Sequence, residues 1–203
     1  MRDDDPAPLD DEHEPPPELV APLAASCIDY VRSAVGVELD LTGDTLPVLD
    51  HYLAGARGEI EARPELLPLL ARAVGAYFGE VVRRDMDAFW YLPAEDVAGG
   101  RICFARVFLA VSPVAAAYDA LCLGTNHDGP SSELVLLPHE RQLVFQRLAL
   151  LPEVAEEEYY SFSTRLEVLQ IANEALLAEM HRAEVGSTLY DAADYASELE
   201  RGV

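Results

Sequence analysis

The 203-residue chain contains no lysine, and its 14 arginines stand against 37 acidic residues for a formal net charge of −23. Nucleic acid is disfavoured as a direct partner, because such binding rests on neutralising phosphates and no basic cluster exists beyond Arg83-Arg84. Long apolar runs are missing as well. None approaches the roughly 20 residues of a membrane span, and the acidic N-terminus lacks the positive charge that precedes a secretory apolar segment. A cytoplasmic protein with no membrane partner is expected. Cysteine is scarce, and Cys27, Cys103 and Cys122 are odd in number, far apart and set among apolar neighbours. That pattern predicts buried reduced thiols rather than a disulfide framework.

The motifs that carry familiar chemistry are also missing. There is no GxGxxG or GxxxxGK[ST] to cradle a phosphate, no GxSxG nucleophile elbow, and no HExxH or CxxC. Neither His139-Glu140 nor Glu179-Met180-His181 has the i, i+3 spacing of a di-iron bundle, and DLTGDT at 40–45 lacks the remaining ligands of a calcium loop. His13 and the loop pair His127-Asp128 have no second element to complete a site, and His51 stands alone. No metal and no cofactor are expected.

What is present is enough apolar residue, half of the chain, for a substantial core. Residues 1–18 hold eight acids, one arginine and five prolines and read as a disordered acidic tail. A single globular domain is expected over 19–185, followed by an acidic C-terminal extension, 186–203, that is a short helix or a frayed end. Apolar spacing and Gly36 predict a first helix over 19–36. Thr-Gly-Asp, with Asp44 as cap, opens a second over 46–56, and the broad apolar face of 65–84 makes a third that is buried on more than one side.

After Arg84 the period changes to that of strands, predicting a hairpin of about 87–92 and 101–111. Ser112-Pro113 caps a short helix, ELVLL is a further short strand, and Pro138 opens another helix. The last long element is predicted over 152–184. In it Tyr159, Phe162, Leu166, Leu169, Asn173, Leu176 and Met180 are spaced by alternating threes and fours, a heptad seam with one polar member. The fold class is α+β: a helical N-terminal layer, a small antiparallel sheet around 86–111 and a long C-terminal amphipathic helix.

One carboxylate is out of place. Glu80 follows Tyr77, Phe78 and Gly79 on the apolar side of the third helix. It can be a structural ion pair with Arg84 or, as the preferred partner, with Arg106 from the apolar strand. Alternatively it lines a cleft with Tyr77 and Trp90, where a raised pKa would suit an acid or base. No second carboxylate completes a hydrolytic pair.

The text VELDLTGDTLPVLDHYL at 37–53, GAYFGEVVRR at 75–84 and Trp90 resembles a group of bacterial domains with no activity attached. The resemblance covers about a quarter of the chain and implies a small mixed α/β domain; it carries no catalytic residue across. The leading functional expectation is a non-catalytic binding or regulatory protein, of immunity-protein or adaptor type, whose acidic surface recognises a basic protein. The alternatives are an enzyme using the Glu80/Tyr77/Trp90 cleft, with His127 as a further candidate, and a self-assembling protein that forms a homodimer through the 159–180 seam.

Overall fold

Proline opens the first four α-helices. The computed structural model describes residues 14–124, 129–183 and 188–201; the tail reading of 1–13 and the histidines His13 and His127 lie outside them. Helix α1 (Ala21–Val35) has proline in its first turn and stops at Gly36, whose φ of 77° is left-handed, a conformation open to glycine because it lacks a Cβ. Helices α2 (Leu46–Ala62) and α3 (Leu67–Asp85) also start with proline in the first turn, where the missing N–H breaks no helical bond. Past Ala56, its expected end, α2 continues, because Ile60 extends the buried face of Leu46, Leu49 and Leu53 by another turn. The expected Asp44 cap is not made. Instead Asp40 organises the turn, its carboxylate accepting from the Thr42 N–H at 3.0 Å and the Thr45 hydroxyl at 2.8 Å.

The architecture is α+β. Four short strands, β1 (Ala88–Tyr91), β2 (Arg101–Phe104), β3 (Leu109–Val111) and β4 (Val135–Leu136), form one antiparallel sheet in sequence order. Residues 101–111, expected as one strand, are two, with the turn at 105–108 placing Arg106 outside the sheet. Alternation along the strands sorts the side chains. Trp90, Ile102, Phe104, Leu109, Val111 and Leu136 join the main core under the helices. Phe89, Tyr91, Cys103, Ala110 and Val135 face the other way into a smaller cluster. Both faces are covered, which is why β2 is apolar on both.

Helix α4 (Pro113–Cys122) is capped as expected, the Ser112 hydroxyl accepting from the Ala115 N–H at 3.4 Å. Gly75 of α3 lies against its start. A Cβ at Gly75 would be 2.6 Å from the Val114 Cα, so only glycine lets the two helices approach this closely.

The predicted 152–184 helix is broken. After α5 (Arg141–Leu148) come a one-turn α6 (Glu156–Tyr159) and the long α7 (Phe162–Arg182), separated at Tyr160-Ser161. Ser161 caps α7 by accepting from the Thr164 N–H at 3.2 Å. From α2, Asp50 accepts the Phe162 N–H at 2.7 Å and the Ser163 N–H at 3.1 Å, so a distant carboxylate fixes where α7 begins. Phe162, Leu166, Leu169 and Leu176 are buried in the chain's own core. Asn173 and Met180 are half-buried, and Tyr159 falls outside α7 and is exposed. The central side chains of this seam are thus engaged within the chain's own core.

The segment expected to be a C-terminal extension is instead packed on the sheet. Helix α8 (Ala192–Glu200) begins with an Asp191–Asp194 capping box and drives the fully buried Tyr195 into the second sheet face. The Tyr195 hydroxyl accepts from the Leu109 N–H at 3.0 Å. Its proton faces three carbonyls, of Phe104 at 2.9 Å, Val107 at 3.0 Å and Leu109 at 2.9 Å. Tyr195 thus closes the β2–β3 turn from behind, and its ring stacks on Phe108 at 4.5 Å between centroids. Among the described residues, no helix is long and apolar enough to cross a membrane.

Candidate functional site

The carboxylate of Glu80 is fully buried, and the side chain that neutralises it is Arg83, itself only 10 % exposed. Oε2 accepts from Arg83 Nη2 at 2.8 Å, Oε1 accepts from Arg83 Nε at 3.1 Å, and Oε1 also accepts from the Trp90 indole N–H at 2.7 Å. Arg83 Nη2 continues outward to the Glu14 carbonyl at 2.7 Å. Neither expected partner reaches Glu80. Arg106 pairs instead with Asp87 at 2.7 Å on an exposed turn where both side chains are 57 % accessible. Such a surface pair contributes little.

Trp90 can reach Glu80 because Gly79 leaves room for it. A Cβ at Gly79 would lie 2.2 Å from the indole ring, so the GAYFGE run brings α3 and β1 together at the Glu80–Trp90 hydrogen bond. Tyr77 is not part of this cluster. Its hydroxyl accepts from the Leu41 N–H at 3.1 Å and shares a hydrogen bond with Thr45 Oγ1 at 3.0 Å, holding a turn in which Leu41 takes a φ of 62°. That φ is costly for a side chain with a Cβ. Three cavities among the described residues are lined by none of Glu80, Tyr77 and Trp90. Glu80 is fully buried and bonded to Arg83 and Trp90, a structural triad at the α3–β1 contact.

Burial also sets the alkaline limit of the fold. It raises the Cys103 thiol from 9.0 to about 12 and the Tyr77 phenol from 10.0 to about 12, against smaller opposing effects from Arg101 and from the Thr45 and Leu41 hydrogen bonds. Both groups hold their protons longer in the folded state than in the unfolded one. The stability they contribute is complete below the unfolded value and is lost as pH rises toward the folded one. The urea midpoint is expected to fall steadily between pH 9 and about 12, and a flat midpoint across that window would contradict the burial argument.

The groove that does have a mixed lining lies elsewhere, and no part of it was picked out from the sequence except Tyr159 and Leu169. About 530 Å³ in volume, it is bounded by α5, the end of α4 and the start of α7. Its floor is apolar, with Phe78, Val111, Leu134 and Leu169, and its rim includes Arg141, Phe145, Tyr159 and Tyr160. Inside it, Asp119 and Arg165 form a half-sealed pair at 2.8 Å, each 16 % exposed. Ser132 donates to the same Asp119 carboxylate, and the Arg165 guanidinium carbon lies 6.0 Å above the Tyr160 ring. The end of α4 is shaped to admit that ring: Gly124 has φ 64°, and a Cβ there would lie 2.0 Å from the Tyr160 hydroxyl. Asp119 and Arg165 are 46 residues apart in sequence, so no local spacing could have revealed them.

A second cavity of about 580 Å³ lies between α5 and the end of α7 and is lined by His139, Glu140 and Tyr190. Burial raises the Glu140 carboxyl and is only partly offset by His139. Among the described residues no group of three His, Cys, Asp or Glu side chains is placed to hold a metal ion. Comparison with known proteins gives no family model, curated protein or solved structure that matches the chain.

Proposed function

We propose that this chain is a non-catalytic binding protein that recognises a basic protein partner through its acidic surface, as an adaptor or an immunity protein does. The observation that carries the reading is where the negative charge sits. Among the described residues Glu80 is the single fully buried carboxylate, so the other described acids of a chain with net charge −23 keep solvent contact. A surface of that sign raises the encounter rate with cationic partners and repels anionic ones. The supporting contacts inside the fold are structural: the Glu80 triad joins α3 to β1, and Asp50 starts α7.

The test is recovery of the tagged full-length chain from its native cells at low salt, followed by a salt wash. One basic protein in stoichiometric amount, released as the Debye length contracts from roughly 30 Å at 0.01 M toward 3 Å at 1 M, is the expected result. Recovery of the chain alone, or a partner indifferent to salt, would overturn the proposal.

A further inference from the structure

We infer that the groove between α5 and the start of α7 docks a basic amphipathic segment, seating an apolar side chain between Phe145 and Tyr159 and turning its cationic side to the glutamates of 153–158. The inference rests on the binding reading above and adds the place and shape of the contact.

The first ground is the distribution of exposed apolar surface. Ten large apolar side chains stand exposed among the described residues, and four of them fall within 145–159: Phe145 at 59 %, Leu150 at 73 %, Val154 at 43 % and Tyr159 at 61 %. Single exposed apolar residues need no explanation, whereas a concentration beside a concave surface marks an interaction site. Phe145 and Tyr159 both line the 530 Å³ groove, so the cavity that could accept an anchor has aromatic side chains at its mouth.

The second ground is charge. Residues 150–160, LLPEVAEEEYY, contain four glutamates and no base, and Glu153, Glu156, Glu157 and Glu158 are all exposed. Among the described residues only Glu157 of these four has a cation within reach, Arg57 at 4.0 Å. The α5 side is different, since it presents the exposed Arg141, which lines the groove, and Arg147. The acidic run leads directly into Tyr159 and Tyr160 of the groove, whereas α5 contributes Arg141 to its lining, so a partner's lysines or arginines are favoured on the α6 side. A second copy of this chain fits poorly, because two bodies of net charge −23 repel. An anionic membrane is opposed by the same charge.

A labelled lysine/leucine peptide with its leucines at helical spacing provides the probe, with a scrambled peptide of identical composition and an oligolysine as controls, all read by fluorescence anisotropy at low salt. The ordered peptide is expected to bind about tenfold tighter than the scrambled one, the difference made by one well-placed anchor. The double variant Phe145→Ser, Tyr159→Ser should abolish that preference while keeping the wild-type urea midpoint, since both side chains are exposed. Neutralising Glu153, Glu156, Glu157 and Glu158 to Gln should weaken the ordered peptide more than neutralising the equally exposed Glu38, Glu59, Glu61 and Glu65. A preference that is absent in the wild type, or that survives the double variant, would overturn the groove inference and leave the acidic-surface reading standing. If none of the cationic peptides bound the wild-type chain, that broader reading would fall as well.

Discussion

Replacing Tyr195 by alanine is expected to lower the unfolding free energy by about 3–5 kcal/mol, the range for removing a fully buried aromatic side chain. This is a large share of the roughly 5–15 kcal/mol that holds a domain together. The ring is the centre of the second sheet-face cluster, flanked by Phe108 at 4.5 Å and Phe89 at 5.9 Å between centroids. Its loss opens a cavity against Cys103 and Ala110 and removes the hydroxyl that closes the β2–β3 turn. Tyr195→Phe separates the two contributions. It keeps the packing and withdraws only the hydroxyl from Leu109 and its three surrounding carbonyls, for an expected cost of about 1–3 kcal/mol. Urea denaturation of both variants is the measurement. A Tyr195→Ala protein as stable as wild type would mean that α8 does not contribute to the fold.

Replacing Glu80 by leucine should cost about 3 kcal/mol. Removing one partner of a buried pair leaves the other charge without compensation, and Arg83 is only 10 % exposed, although its bond to the Glu14 carbonyl softens the loss. Glu80→Gln keeps an oxygen for the Trp90 indole N–H and should cost less. The chain has a single tryptophan, so Trp90 fluorescence reads the site directly. A shift of emission in Glu80→Leu, accompanied by a lower urea midpoint, is expected. A loss of less than about 1 kcal/mol, the scale of an exposed pair, would show that the triad does not hold α3 against β1.

Glu80 also shows how far a local reading can go. Its position on an apolar helix face marked it as a buried charge needing a partner, and that was legible. Arg83 and Arg84 lie at i+3 and i+4, both within reach on a helix, and nothing in the helix itself selects between them. The choice follows from where β1 places Trp90, with Gly79 making room for the indole. Arg106 was the preferred partner because 101–111 reads as one unbroken strand; the turn at 105–108 removes it to solvent.

The same limit applied to the last third of the chain. The heptad spacing from Tyr159 to Met180 correctly marked an apolar helix face over most of its length. It could not say what covers that face, and the answer is the chain's own core. Nor could it show the break at Ser161, because the carboxylate that starts α7 comes from Asp50, 112 residues from Phe162. In α8 the acidic composition hid a tyrosine whose partners are backbone groups of β2 and β3.

By itself the sequence determined the α+β class, the approximate spans of α1, α2, α3 and α4, the caps at Gly36 and Ser112, and a strongly acidic surface. These follow from periodicity, proline and glycine stereochemistry and the count of charges, all of which act over a few residues or over the whole chain. Tertiary structure decided which arginine neutralises Glu80, what buries the α7 seam, that α8 covers the sheet, and where a groove bordered by Phe145 and Tyr159 opens. Each of those depends on side chains brought together from distant segments, and apolar burial, which drives that assembly, is non-directional: it makes a residue need a partner without specifying which one.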